Sequence, residues 1–287
     1  MWIADKWTDI EVLDCSHGEK LERWGEKILV RPDPQVIWRG DGRHVGWQNP
    51  DGRYLRANTG GGKWERKNLP EKWQVRYEDL TFQVGPMNFK HMGLFPEQAA
   101  NWDFIRAQIK ASQRELNILN LFAYTGGATV AAAAAGAKVC HVDAARGMVS
   151  WARENAALSG LENAPIRWIV DDCLKFVQRE IRRGRKYDGI IMDPPSYGRG
   201  PTGEVWKLED SLYPFVEETA KLLSHEPAFV IINAYTTGLS PSVLTYISET
   251  IFGKRFGGKT ESRELGLPVT ESGLILPCGA TCRWQGR

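Results

Sequence analysis

Asn120-Leu121-Phe122-Ala123-Tyr124-Thr125-Gly126-Gly127-Ala128 is the stretch whose reading decides the fold. Residues Asn117 to Phe122 form a short apolar run that reads as a buried strand bounded by turn residues. The glycine pair then gives the backbone freedom for a tight strand-to-helix turn, and its missing side chains let a ligand approach the main chain. Ala131 to Ala135 continue as a helix whose small side chains can lie close to a sheet. Further on, Lys138-Val139-Cys140-His141-Val142-Asp143 is a second apolar run, and it ends in an acid. Glycines at the tip of one strand and a carboxylate at the tip of the next are the parts of a βαβ nucleoside site.

The glycine spacing narrows the ligand. A dinucleotide fold needs G-x-G-x-x-G and a P-loop needs its lysine; neither is in this stretch. A nucleoside without a pyrophosphate fits better, and S-adenosylmethionine is the commonest such cofactor. The plainer alternative is an ordinary turn at Gly126-Gly127 with Asp143 as a solvated strand end.

The chain downstream repeats the strand–helix alternation. Ala145 to Leu158 has a helical spacing of apolar residues, with Gly160 as a stop signal. Arg167 to Val170 reads as a third strand, followed by Asp171-Asp172-Cys173. Asp172 there can accept from an adenine amino group while the next backbone amide meets a ring nitrogen, or it can cap the following helix; both roles are compatible. The fourth strand, Tyr187 to Met192, runs into Asp193-Pro194-Pro195-Ser196-Tyr197-Gly198. Two successive prolines lack N–H donors, so this loop should hold its carbonyls and the Asp193 carboxylate outward as acceptors with no competing donor. Such an array suits a target amino group, and Tyr197 can stack on a planar base or pack as an ordinary aromatic.

Taken together, about Phe82 to Trp284 resembles the class I S-adenosylmethionine-dependent methyltransferases. The resemblance is nearest to the branch with the large-subunit ribosomal RNA methyltransferases of the RlmI/RlmK type. It is carried by Asn120 to Gly127, Val142-Asp143, Trp151-Ala152-Arg153-Glu154-Asn155-Ala156, Asp193-Pro194-Pro195 and, upstream, Gly93-Leu94-Phe95-Pro96-Glu97-Gln98. The resemblance implies that Phe122, Tyr124, Thr125 and Gly126 line the methionine and ribose side of the cofactor. It implies that Asp143, with Ala144 beside it, holds the ribose hydroxyls, and that Asp172 and Cys173 meet the adenine. Phe95 and Gln98 would add to the cofactor site, and Asp193 would sit beside the methyl donor. The catalytic set would be Asp193, Pro194, Pro195 and Tyr197.

One departure bears on chemistry. Cytosine-C5 members need a cysteine nucleophile after the fourth or fifth strand. Here those positions hold Ser196-Tyr197 and, after Ala228 to Ile232, Asn233-Ala234-Tyr235. Direct transfer to a nitrogen or oxygen, without a thiolate adduct, is therefore expected. Asn233 would be a second polar contact or a residue satisfying its own turn.

Composition bounds the rest. Hydrophobic residues make up 42% and charged residues 25%, as in ordinary soluble globular chains. No run is long enough for a membrane span, and Met1-Trp2-Ile3-Ala4 meets Asp5 and Lys6 at once instead of a signal-peptide core. Five cysteines without a C-x-x-C suggest reduced thiols, no zinc site and a cytoplasmic setting. Cys278 and Cys282 read as packed strand residues.

Residues 1–80 differ in composition from 81–287. They hold seven of the twelve tryptophans and the turn signals Asp41-Gly42, Asn49-Pro50-Asp51-Gly52 and Gly60-Gly61-Gly62. They are expected to form a small β-domain ahead of a seven-stranded Rossmann-like sheet, an α/β fold overall. Through Gly85, fourteen Lys and Arg balance fourteen Asp and Glu, and the whole chain is only +2. RNA-binding surfaces usually carry a clearer positive excess. The one basic cluster, Arg179, Arg182, Arg183, Arg185 and Lys186, falls where it would complement a helix C-terminus. Trp38, Trp47 and Trp64 would stack on bases or, more simply, pack a small core. Gly198 to Gly203 reads as a lid-like loop, Lys207 to Leu223 as a helix, and Pro241 to about Phe252 as another. Lys259 to Leu265 and Gly273 to Trp284 read as two antiparallel strands completing the sheet. The expectation is an enzyme that methylates RNA, ribosomal by the resemblance, with no metal or membrane partner. The alternatives are a protein or small-molecule methyltransferase, favoured by the flat charge balance, and a non-catalytic nucleoside-binding module, against which the intact Asp193-Pro194-Pro195-Ser196-Tyr197 speaks.

Overall fold

The computed structural model describes residues 1–57, 61–87, 89–199, 205–236 and 238–287. Compactness divides the chain differently from composition. One unit comprises Met1–Ala100 with Leu265–Cys278, and the other Asn101–Glu264 with Gly279–Arg287. The N-terminal unit thus runs some twenty residues past the compositional boundary at 80 and takes in a distant C-terminal segment.

The first unit is built from strands. β1 (Trp2–Ile3), β2 (Ile10–Ser16), β3 (Glu19–Trp24), β4 (Lys27–Pro32), β5 (Gly52–Arg56) and β6 (Gly62–Arg66) precede a hairpin of β7 (Trp73–Tyr77) and β8 (Leu80–Val84). β2 to β6 form a five-stranded sheet in sequence order, and β1 pairs with the chain at Leu265 and Gly266. Its interior is charged. Arg31 donates to both oxygens of Glu22 at 2.6 and 2.8 Å, and Lys20 bridges Glu22 and Asp33 at 3.3 and 3.2 Å. Burial opposes the Glu22 charge, yet Arg31 and Lys20 hold its carboxyl down at about 2. Such a network survives burial because every charge in it has a partner.

The second unit is an α/β sandwich. After α1 (Ala99–Ala111) come β9 (Asn117–Leu121), α2 (Gly127–Ala134), β10 (Lys138–Asp143), α3 (Arg146–Leu158), β11 (Ile166–Val170), α4 (Cys173–Arg182) and β12 (Gly189–Met192). A short hairpin, β13 (Tyr197–Arg199) and β14 (Val205–Lys207), leads to α5 (Leu208–Ala220), β15 (Phe229–Ala234), α6 (Pro241–Ser248) and the long strands β16 (Lys259–Pro268) and β17 (Ile275–Gln285). The sheet has eight strands, one more than expected, in the order β11-β10-β9-β12-β15-β17-β16-β1. β11, β10, β9, β12 and β15 run parallel, β17 is antiparallel to β15, and the added strand is the two-residue β1. Helices cover both faces, which is why β9 and β10 can be buried along most of their length. Their two fully buried polar side chains meet on Thr129: Asn120 Nδ2 donates to Thr129 Oγ1 at 2.9 Å, and Thr129 Oγ1 lies 3.0 Å from His141 Nδ1, while the buried His141 Nε2 has no hydrogen-bond partner among the described residues.

Several sequence expectations need correction here. Phe122 does not extend the first strand; it takes φ +56°, so the strand stops at Leu121. The helix after Pro241 ends at Ser248 and continues as a π-turn over Glu249–Gly253. The segment after Tyr197 begins as a hairpin strand, and Gly200 to Gly203 of the expected lid lie outside the described residues.

Candidate active site

In the sheet order the chain turns back at β9: β10 and β11 lie on one side of it, β12 and β15 on the other. Ligands of open α/β sheets bind outside the carboxyl ends of strands at such a switch point. Backbone bonds tie these strand ends together. Asp193 N donates to Leu121 O at 3.3 Å, Ala123 N to Val142 O at 3.1 Å, and Asp171 N to Asp143 O at 3.1 Å.

The loop after β9 has three left-handed residues, Phe122 (φ +56°), Tyr124 (φ +50°) and Gly126 (φ +83°). Two of them are not glycine, and each costs on the order of 1–2 kcal/mol, so the surroundings must impose the shape. Asp143 does so most directly: its carboxylate accepts from Tyr124 N and Ala145 N, both at 2.8 Å. Burial raises the Asp143 carboxyl above its usual range, and the two N–H bonds oppose that rise. Thr125 is buried, and its carbonyl accepts from the buried Asn155 amide at 2.8 Å. A β-carbon at Gly126 would meet Ala152 Cβ at 2.8 Å, and one at Gly127 would meet the Trp102 ring at 2.5 Å. Glycine is therefore required twice, once for conformation and space and once for helix packing.

The other sequence-derived residues fall as follows. Asp172 is the N-cap of α4, its Oδ1 accepting from Lys175 N at 2.9 Å, while the side chain stays exposed at the tip of β11. Cys173 is buried, and its sulfur accepts from Phe122 N at 3.3 Å. It meets the β9 loop from below, where burial pushes the thiol far up. Ala144 links Asp143 to the start of α3. Phe95 and Gln98 belong to the first unit, at the start and end of a short 3-10 turn, with Phe95 against His91 at a ring separation of 5.4 Å.

After β12, Asp193 is half-buried and Tyr197 is 51% exposed, on β13 opposite Lys207. The expected donor-free acceptor array holds only in part. Trp206 Nε1, on the facing hairpin strand, donates to Pro195 O at 2.6 Å, so that carbonyl is occupied. Ser196 accepts from the Thr236 hydroxyl at 2.8 Å. Trp206 was not legible as a site residue in the sequence; an isolated tryptophan before a helix carries no signal until the hairpin brings it back. Asn233 is buried and accepts from Asn101 Nδ2 at 3.1 Å, and Arg283 donates to Asn101 Oδ1 at 2.9 Å, which is structural use.

Two wider readings resolve the same way. Of the basic cluster on α4, Arg179 pairs with Asp171, Arg183 with Glu180, and Lys186 donates to Lys221 O. Trp47 and Trp64 donate their indole N–H to Asp14 and to the Met87 carbonyl, as packed tryptophans do, whereas Trp38 is 41% exposed. All five cysteines are free thiols, and burial raises each, Cys140 to about 11 and Cys15 to about 12. Among the described residues no cluster of three or more His, Cys, Asp or Glu could hold a metal ion. No helix among them is long and apolar enough to cross a membrane.

A sheet of this order, with a carboxylate-anchored loop and an Asp-Pro-Pro turn meeting at its switch point, defines a class I nucleoside-dependent transferase. Comparison with known proteins agrees. The family described as S-adenosylmethionine-dependent methyltransferase matches residues 23–208, and the chain belongs to it. A solved S-adenosylmethionine-dependent methyltransferase from Agrobacterium tumefaciens is 36% identical, with a TM-score of 0.92 over 99% of this chain and 93% of that one. SMU.776, a methyltransferase solved in complex with SAH, shares the fold at 19% identity and a TM-score of 0.73, over 97% of this chain and 76% of its own. Among curated proteins, the ribosomal RNA large subunit methyltransferase K/L of Shewanella frigidimarina is 32% identical over 53% of this chain and 21% of its own length. That of Chromohalobacter salexigens is 31% identical over 62% and 22%. The chain spans about a fifth of the length of these curated relatives. Its cofactor is S-adenosylmethionine.

Proposed function

We propose that this methyltransferase modifies a nitrogen or oxygen of RNA by direct transfer, with no cysteine nucleophile. The observation that carries the reading is the meeting of two loops at one switch point, the Asp143-anchored loop after β9 and Asp193-Pro194-Pro195 after β12, joined by the Asp193–Leu121 backbone bond. The residues present suit the cofactor: Asp143 would offer a carboxylate to ribose hydroxyls, and Asp172 and the amide beside it would meet the adenine. Phe122, Tyr124, Thr125 and Gly126 would line the methionine side, and Ala144 would lie against the nucleoside. When bound, the cofactor supplies a methyl group on an electrophilic sulfonium, so little covalent help is needed from the protein.

The protein's contribution is positional and electrostatic. Asp193 accepts from the incoming amino or hydroxyl group and takes up its developing positive charge. The Pro194 carbonyl is the second acceptor, since Trp206 occupies that of Pro195. Tyr197, half exposed beside them, gives a planar acceptor a face to stack on. The raised thiols leave no ready thiolate near neutral pH.

RNA as the acceptor rests on the names of the curated relatives, and a ribosomal substrate in the cytoplasm follows from the same likeness. The near-neutral charge supports a second reading, a protein or small-molecule acceptor. Transfer of labelled methyl into an extract of cells lacking this protein separates the two. Label released by ribonuclease is the expected result; label released only by protease, or found in small molecules, would overturn the RNA assignment and leave the methyltransferase standing.

A further inference from the structure

We propose that Trp206 is the positioning residue of this active site, resting on the methyl-transfer reading above. Trp206 lies on β14 opposite Gly198, so the hairpin folds it back over the loop that precedes it. Its indole N–H donates to Pro195 O at 2.6 Å. Its ring meets Phe122 and Phe215, each at 5.5 Å between centroids, and Phe122 meets Phe215 at 5.4 Å. Three rings thus close a triangle whose corners come from three places: the cofactor loop, the hairpin and α5.

Each corner explains part of the arrangement. Phe215 is fully in the core and supplies a rigid base. Phe122, held at positive φ, leaves the strand direction, and its contacts with the other two rings offset the cost of that conformation. Pro194 and Pro195 have no N–H, so the acceptor loop cannot tie these positions down through its own donors. Outside donors must hold it: Trp206 holds the Pro195 carbonyl, and beyond it Leu208 N donates to Ser196 O at 3.1 Å. By taking the Pro195 carbonyl Trp206 sets where the Asp193-Pro194-Pro195 turn stands relative to Phe122. The direct anchors of the cofactor loop, Asp143 and Cys173, do not involve it.

The hydrogen bond and the ring contacts separate in substitutions. Trp206→Phe keeps an aromatic ring and removes the donor; Trp206→His restores a ring N–H; Trp206→Ala removes both. The full chain is assayed for S-adenosylhomocysteine binding by calorimetry and for labelled methyl transfer into RNA extracted from cells lacking the protein. Circular dichroism checks folding. Trp206→Phe is expected to bind S-adenosylhomocysteine within about threefold of the parent and to lower kcat about tenfold, with the KM for S-adenosylmethionine nearly unchanged. Trp206→His should recover part of that loss, and Trp206→Ala should weaken S-adenosylhomocysteine binding as well, because Phe122 loses a neighbour. Full turnover in the Phe variant would overturn the proposal, as would losses of binding and turnover that run in parallel across all three. Should the parent chain label protein instead of RNA, the RNA reading fails and the same comparison of kcat with binding, made on that acceptor, decides for or against Trp206. A parent chain that binds no S-adenosylhomocysteine would sink the cofactor reading, and this proposal with it.

Discussion

The loops that follow β9 and β12 sit side by side at the switch point, yet they are held in opposite ways. The loop after β9 is held through its backbone: Asp143 takes the Tyr124 N–H, Asn155 takes hold of the Thr125 carbonyl, and Cys173 accepts from Phe122 N. Its shape is costly, with two non-glycine residues at positive φ, and it is fastened from the strands beneath. The loop after β12 has two prolines in place of donors. Backbone bonds from Asp193 N to Leu121 O and from Leu208 N to Ser196 O hold its two ends, and side chains that arrive later in the chain, Trp206 and Thr236, fasten the turn between. A cofactor that is the same at every turnover suits the first kind of loop, preorganised and stiff. An acceptor that must be admitted, aligned and released suits the second.

The sharpest break in this comparison is Asp193→Ala. It should reduce kcat about a hundredfold or more, as loss of a charged transition-state contact does, while S-adenosylhomocysteine binding stays within a few-fold. Full activity would remove the β12 loop from the chemistry. Asp143→Ala is the complementary break. Loss of charge-assisted bonds worth about 1.5–3 kcal/mol should weaken cofactor binding by about 10- to 100-fold in calorimetry.

The same carboxylate gives a pH test. Burial raises its folded-state pKa above the ordinary 3.8, and the charged form is the one that accepts hydroxyls. On acidification it is lost at a higher pH than a solvated aspartate would lose it. Cofactor affinity should therefore fall on lowering the pH before ordinary aspartates titrate, and Asp143→Asn should flatten that profile. An unchanged profile in the Asn variant would assign the effect to another group.

Gly126→Ala tests the stiffness itself. The left-handed backbone and the 2.8 Å approach to Ala152 together should lower stability by about 1–3 kcal/mol, read as a fall in Tm. The smallest effect is expected at the acceptor side: Thr236→Ala removes one exposed hydroxyl bond to Ser196 and should change kcat by less than about threefold. A larger change there than at Gly126 would reverse the contrast between the two loops.

The legible parts of the molecule were those with local signals. β10 spans Lys138–Asp143 as its hydrophobic run predicts, and the glycine turn, Asp143 and the Asp193-Pro194-Pro195 corner stand at the strand ends where the pattern put them. Asp172 was readable as a cap because capping is a property of a few consecutive residues. What stayed illegible depends on distant parts of the chain. Leu265–Cys278 joins the N-terminal unit across more than 160 residues, and no window of sequence carries that return. The charged interior of that unit was equally hidden, because Lys20, Glu22, Arg31 and Asp33 look like an ordinary solvated mixture until the pairing of β3 with β4 aligns them.

Sequence alone determined the cofactor class, the strand–helix alternation and the acids at the strand tips. The alternation and the acids follow from short-range hydrophobic periodicity and from the steric demands of glycine and proline, and the cofactor class from the resemblance those residues carry. The tertiary structure decided which acceptors the Asp-Pro-Pro loop keeps. It did so by bringing Trp206 back across a hairpin to occupy Pro195 and to close the ring triangle with Phe122 and Phe215. A hydrogen bond between residues eleven positions apart depends on where the chain returns, and only the folded packing sets that.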